Sequence, residues 1–207
     1  MKTSELTKLG KILLPALPGF ALRGKLLLLE PLGHTLRGIF FAGSIDPRSF
    51  YVQVFLQPLF VPANHFVFNV GWRLGGESHS WKADEPRLQS SLTTALQREA
   101  LPFLSRVQSL SDVVLCAQSL RESGDPYVQQ AIAYSFARNE DIVQATDALT
   151  ALIELLKRRG DYAWQHEMAR RAASLKKQLQ DAPSDAQRML EGWESDTAKK
   201  LGLEEYR

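Results

Sequence analysis

Between Leu22 and Leu74 the apolar residues recur at every second position, and beyond residue 86 they recur at every third or fourth. A period of two belongs to a strand whose side chains alternate between two faces, and a period near 3.6 to a helix with one buried stripe. The chain therefore reads as α+β: an N-terminal helix, a four-stranded antiparallel sheet meander and an all-helical C-terminal half with helical hairpins. The first helix is expected over 3–14. Leu6, Leu9 and Leu13 share its face, Thr3 or Ser4 caps it, and Pro15, Pro18 and Gly19 end it. Strand-like runs follow at 22–30, 35–42, 49–60 and 65–74. They are parted by Pro31-Leu32-Gly33, by Gly43 to Pro47 and by Pro62-Ala63-Asn64. Connections this short join antiparallel neighbours. Pro58 places the far end of the third run at an edge or out of the ladder.

The alternation also assigns faces. In the third run Phe50, Val52, Val54 and Leu56 point one way, and Tyr51, Gln53, Phe55 and Gln57 the other. In the fourth, Phe66, Phe68, Val70 and Trp72 lie opposite His65, Val67, Asn69, Gly71 and Arg73. One face is apolar and requires a cover of helices. The other interleaves aromatic, amide, imidazole and guanidinium groups.

A polar loop over 75–86 leads into the helices. The first spans about 86–100 and is broken at Pro102; the next, over 111–121, is capped by Ser109 or Ser111. Asp125-Pro126 is the clearest start signal, a capping carboxylate before a proline at the first helical position. That helix runs to Arg138. Another covers 141–159, with Ile142, Thr146, Leu149, Leu152, Ile153 and Leu156 on one face, Lys157-Arg158-Arg159 in its last turn and Gly160 beyond it. A further helix covers 162–180, and after Pro183 a last one is capped by Ser184. The pair over 126–159 has the length of one tetratricopeptide unit, but the next pair does not restate its pattern, so hairpin packing is expected rather than an array. The natural division is 1–82, helix plus sheet, and 83–207, helical. The connection between them is short and the apolar sheet face needs covering, so the two are expected to pack as one domain.

Composition narrows the class. With 44% hydrophobic and 23% charged residues the chain is an ordinary globular one. Its formal net charge of +2 argues for no particular partner. Residues 1–82 carry nine basic and four acidic residues and the remainder 16 and 19, a mild asymmetry without the dense Lys/Arg clusters of a nucleic-acid surface. The single cysteine, Cys116, excludes an intrachain disulfide and fits a reducing compartment. No leader pattern is evident, and no apolar run approaches the ~18 residues that span a bilayer. A cytoplasmic location is expected.

The motifs of common chemistries are missing. His34, His65, His79 and His166 are widely separated, with no ligand partner at metal-binding spacing. There is no Gly-x-Ser-x-Gly elbow, and Cys116 sits in an apolar run with no charged neighbour. The glycines of Gly71 to Gly76 lack the lysine of a phosphate loop. Glu30, Asp46 and Glu77 fall at strand ends and turns, and Asp46-Pro47 reads as a turn initiator. No catalytic residue, metal or cofactor is assigned. The candidate binding surface is the mixed sheet face, formed by Arg37, Tyr51, Gln53, Gln57, His65, Asn69 and Arg73, together with Trp81 in the polar loop. Guanidinium and amide groups on a rigid platform suit a carboxylate, a phosphate or a partner's backbone.

Residues 1–100 run as a short helix, the turn Pro18-Gly19-Phe20, an Arg-bearing strand and then aromatic strands. In this layout the chain resembles a group of uncharacterised bacterial α+β domains found beside toxin-immunity genes. The extended helical tail lies outside the resemblance. It implies a small cytoplasmic protein that binds another protein and does no chemistry, and it carries over no functional residues. The expected function is thus a non-enzymatic protein-interaction module, immunity-like in type. The alternative is a small-ligand binder or enzyme using the same sheet face. Another protein is the expected partner, a homo-oligomer is open, and neither membrane nor nucleic acid is expected.

Overall fold

The computed structural model describes residues 1–120, 124–158 and 162–206. The expected cap pair Arg159 and Gly160 lies outside the described residues. The chain divides into two compact units. One comprises Met1–Leu56, Gly71–Val107 and Tyr206–Arg207; the other comprises Gln57–Val70 and Gln108–Glu205. The sequence division at 82/83 places 57–70 and 83–107 differently.

The first unit opens with α1 (Thr3–Leu13), whose Leu6, Leu9 and Leu13 are all buried. Its cap is not Thr3 or Ser4. The Glu5 carboxylate instead accepts from the Lys2 N–H at 2.6 Å. Strands β1 (Phe20–Arg23), β2 (Leu26–Leu29), β3 (Thr35–Gly43), β4 (Ser49–Pro58) and β5 (Gly71–Arg73) follow in sheet order, and β6 (Trp81–Lys82) pairs β4 alongside β5. The expected first run is therefore two strands. Gly24, at φ 57, turns the chain between Arg23 and Leu26, a conformation that favours glycine.

The predicted faces hold through most of β4: Phe50, Val52 and Val54 are fully buried while Tyr51 and Gln53 are half-buried. From Phe55 onward both faces are buried. The apolar face is covered as expected. A Cβ on Gly10 of α1 would meet the Leu22 and Phe41 side chains, so the helix lies close on the sheet. Phe103 meets Trp72 edge-on with ring centres 4.3 Å apart. Burying each such aromatic contributes ~1.5–3 kcal/mol, which fixes the register.

Phe103 lies on a helix that Pro102 does not break. α2 (Leu88–Ala95) runs through a wide turn at Leu96–Ala100 into α3 (Leu101–Arg106). The Leu101 N–H reaches back five residues to the Leu96 carbonyl. The widened turn leaves Pro102 at the start of α3, where its missing N–H is tolerated.

The expected fourth strand is mostly absent. Only Gly71–Arg73 pairs β4, and a side chain at Gly71 has no room: its Cβ would lie 2.3 Å from the Val54 carbonyl oxygen. Residues 65–70 are not extended in the sheet and belong to the second unit. The reason is Gln57. Its side-chain amide donates to the His65 carbonyl at 3.3 Å, and its carbonyl oxygen accepts from the Val67 N–H at 3.1 Å. One side chain thus satisfies the backbone groups that a neighbouring strand would otherwise satisfy. Thr197 adds to this by accepting from the Ala63 N–H at 3.3 Å, and Phe60 enters the helical core.

That core belongs to α5 (Pro126–Arg138), α6 (Ile142–Arg158), α7 (Ala163–Asp181) and α8 (Pro183–Leu201). Consecutive helices pack on one another, α8 returns to α5, and α4 (Leu110–Ser119) lies against α5. The small residues Ala133, Ala137, Ala145, Ala172 and Ala186 let the helices approach, with Leu149, Leu152, Leu156, Leu175 and Leu190 between them. The starts of α4 and α5 are as expected. Ser109 and Asp112 form a reciprocal cap, and the Asp125 carboxylate accepts from the Tyr127 N–H at 2.8 Å. Lys157 and Arg158 occupy the last turn of α6. Ser184 does not cap α8, because Pro183 already forms its first position and Ala182 precedes it as the cap residue. Ile142 and Thr146 are not on the buried stripe of α6, which runs Ala145, Leu149, Leu152, Leu156.

Candidate functional site

The eight candidate residues separate. Tyr51, Gln53 and Arg73 do come together on the sheet. Gln53 and Arg73 are directly opposed across β4 and β5, and the Arg73 guanidinium lies 4.0 Å from the centre of the Tyr51 ring. Arg73 also donates to the Glu77 carbonyl, and Ser44 donates to the Tyr51 hydroxyl at 3.3 Å. Arg37 is committed to its own fold. It donates to the carbonyls of Val107 at 3.2 Å and Pro31 at 3.1 Å, and partial burial lowers its pKa. Trp81 is buried rather than exposed: it pairs with Phe50 in the sheet and meets His79 edge-on at 4.8 Å.

Gln57, His65 and Asn69 are grouped with the second unit; Gln57 is a residue of β4 as expected, whereas His65 and Asn69 lie outside the sheet and correct the expectation that they share its face. Gln57 is buried under the backbone it clamps. His65 pairs with the Asn64 side chain at 2.7 Å, and Asn69 donates to Asp125 at 2.7 Å. Sequence alternation brought His65 and Asn69 onto a fourth strand, where the Gln57 amide of β4 instead bonds the backbone at His65 and Val67.

The carboxylates behave as turn formers. Asp46 accepts from the Arg48 N–H at 2.9 Å, the Ser49 hydroxyl at 2.8 Å and the Lys82 ammonium at 3.1 Å. These bonds, the Arg48 one foremost, hold its carboxyl well below the usual range. Among the described residues no group of three or more His, Cys, Asp or Glu side chains is placed to hold a metal, and no helix is long and apolar enough to cross a membrane.

Two features of the helical unit escaped sequence reasoning. One is a polar knot inside the bundle. Arg138 donates to the Gln187 side chain at 3.0 Å and lies 3.5 Å from Glu191 and 3.7 Å from Glu194, a carboxylate only 3% exposed. Beside it Tyr134 stacks on Trp193 at 5.7 Å, and burial pushes its hydroxyl pKa up to about 12. The knot is built from side chains of α5 and α8, and within it the buried Arg138 Nε makes no hydrogen bond among the described residues and lies 3.7 Å from Glu194.

The other is a groove of about 280 Å³ between α4, α5 and the start of α6. Leu110, Val114, Leu115 and Phe136 form its apolar wall, and Ser111, Gln118, Ser135, Asn139 and Gln144 its polar positions. Leu115 is 63% exposed, and at the start of α6 Val143 is 73% exposed beside the exposed Ile142. The signal was present in the sequence. Val113 to Ala117 is apolar around the whole turn, more than one helix face can bury.

The fold and this groove define an α+β protein with a helical bundle that carries an uncovered apolar surface. Comparison with protein-family models, with curated proteins and with solved structures finds no match for the chain.

Proposed function

We propose that this chain is a non-enzymatic protein-interaction module working in the cytoplasm, and that the groove between α4, α5 and α6 is where its partner docks. The observation that carries the reading is the groove's apolar wall of Leu110, Val114, Leu115 and Phe136, with Leu115 largely exposed, and the exposed Ile142 and Val143 that precede its lining residue Gln144 along α6. Single exposed apolar residues are ordinary, but a cluster around a hollow marks an interaction surface. The layout of residues 1–100, which resembles the bacterial domains beside toxin-immunity genes, supports the same class. The polar groups of the sheet unit support it by default. Arg37 is held by backbone carbonyls and Arg73 by the Glu77 carbonyl and the Tyr51 ring, which leaves little for binding a small anion.

The test is affinity capture of the tagged protein from an extract of its source cells, in parallel with Leu115→Asp and with Gln53→Ala/Arg73→Ala. A stoichiometric protein retained by the wild type and the sheet variant but lost by Leu115→Asp is the expected result. Loss in the sheet variant instead would move the interaction to the sheet face. Retention by every variant would remove the groove from the reading.

A further inference from the structure

We infer that the cleft between α1 and the β3–β4 turn binds a short aliphatic peptide, a dipeptide or tripeptide, by its two charged termini. This site lies in the sheet unit and does not rest on the interaction reading above. The cleft encloses about 490 Å³, within the ~300–1,000 Å³ of small-ligand sites. α1 supplies Glu5, Lys8, Leu9 and Ile12 to its lining, the turn supplies Arg48, and the segment from β6 into α2 supplies Asp84 and Leu88. Leu9 and Leu88 are buried, while Ile12 is an aliphatic side chain left 43% exposed.

Charges of both signs line the cleft, and their commitments differ. Glu5 already accepts from the Lys2 N–H at 2.6 Å. Arg48 is drawn toward Asp46, with its Nε 3.7 Å from that carboxylate. Lys8 and Asp84 have no hydrogen bond or ion pair among the described residues. A free ammonium on α1 and a free carboxylate after β6 thus border the same hollow without neutralising each other. A lone anion would gain Lys8 but face Asp84 and Glu5. A lone amine would gain Asp84 but face Lys8 and Arg48. An uncharged apolar molecule would strip water from these groups and return nothing. A molecule with an ammonium at one end, a carboxylate at the other and an aliphatic body between answers each group. Its carboxylate meets Lys8, its ammonium meets Asp84, and its side chains lie on Leu9, Ile12 and Leu88. The two free charges come from separate elements, so they suit the ends of a short peptide better than the adjacent charges of a single amino acid.

The walls are set before any ligand arrives. The Asp46 carboxylate holds the turn through the Arg48 N–H, the Ser49 hydroxyl and the Lys82 ammonium. The Ala83 N–H donates to the Arg48 carbonyl at 2.8 Å, which ties the backbone beside Asp84 to the same turn. Leu6, Leu9 and Leu13 anchor α1 in the core. A preformed cleft spares binding the cost of ordering it. Exposed charge pairs each add little, so the affinity should be weak, with Kd on the order of 0.1–1 mM.

The experiment is titration of the isotopically labelled full-length chain with the dipeptide Ala-Leu, read by NMR amide shifts, on wild type, Lys8→Gln and Asp84→Asn. Both positions are exposed, so the variants should keep the fold, and their amide spectra away from the cleft check it. Saturable shifts should gather at Lys8, Ile12, Arg48 and Asp84. N-acetylation of the peptide and Asp84→Asn should each weaken binding about fivefold, as loss of one exposed ion pair does. The two together should cost no more than either alone, because they remove the same contact. C-amidation and Lys8→Gln should form a second such pair. Free leucine should bind less tightly than Ala-Leu. Absence of shifts at about 10 mM peptide would overturn the inference, being well above the expected Kd. So would shifts centred elsewhere, undiminished binding of the peptide blocked at both ends, or binding indifferent to both variants.

Discussion

Arg37 in the sheet unit and Arg138 in the helical unit face the same difficulty, a guanidinium drawn out of water, and resolve it differently. Arg37 donates to two backbone carbonyls, so it adds no buried counter-charge and ties a strand to the end of a helix and to a loop. Arg138 is only 15% exposed and is met by Glu191, Glu194 and Gln187, all side chains of α8. The first solution is local stitching, and its failure should remain local. The second places a nearly buried carboxylate in the bundle that depends on its cation.

That contrast is open to a direct test. Arg138→Ala should destabilise the chain by about 3 kcal/mol, because Glu194 is left buried without this cation, whereas Arg37→Ala should cost about 1 kcal/mol. Urea titrations of the two variants would measure it, and equal losses would break the comparison. Replacing the pair together, Arg138→Met with Glu194→Leu, should recover most of the larger loss.

The Gln57 clamp should be intermediate. Gln57→Ala unpairs the His65 carbonyl and the Val67 N–H and should cost about 2 kcal/mol. Hydrogen exchange at Val67 should accelerate while the exchange of the β1–β2 amides stays unchanged.

The smallest effect belongs to Asp46 in the sheet unit. Its carboxyl pKa is lowered in the folded state, so its contribution is present above the unfolded value near pH 4 and fades as pH falls through the folded value. The melting-temperature advantage of the wild type over Asp46→Asn should therefore be constant from neutral pH to about pH 5 and shrink in stronger acid. An advantage that instead shrank between neutral pH and pH 5 would show that another group is responsible.

What was legible in the sequence follows the range of the forces involved. The helix starts at Ser109 and Asp125 are set by residues two or three positions away, and they were readable. So were the faces of β4 as far as Val54, where period two reports burial directly. The lost strand over 65–70 was not readable, because Gln57 looks like any polar residue on a sheet face until its amide is seen bonding eight and ten positions ahead. Arg37 had the same problem, with one of its acceptors at Val107. Pro102 was misread because the wide turn before it is a property of the chain's packing, and no residue type announces it. The groove was half legible. Leu115 stands in a run too apolar for one helix face, but its lining is gathered from three helices.

The outer side of β4 is shared by two fragments, three-residue β5 and two-residue β6, and at the opposite margin of the sheet lies the four-residue β1. A sheet trimmed in this way offers no long run of unpaired backbone on which another chain could nucleate. It is therefore poorly suited to growth by strand addition, into either a domain-swapped dimer or a fibril, and the aromatic-rich sequence between Phe50 and Trp72 is kept from becoming an aggregation template by the shortness of its neighbours.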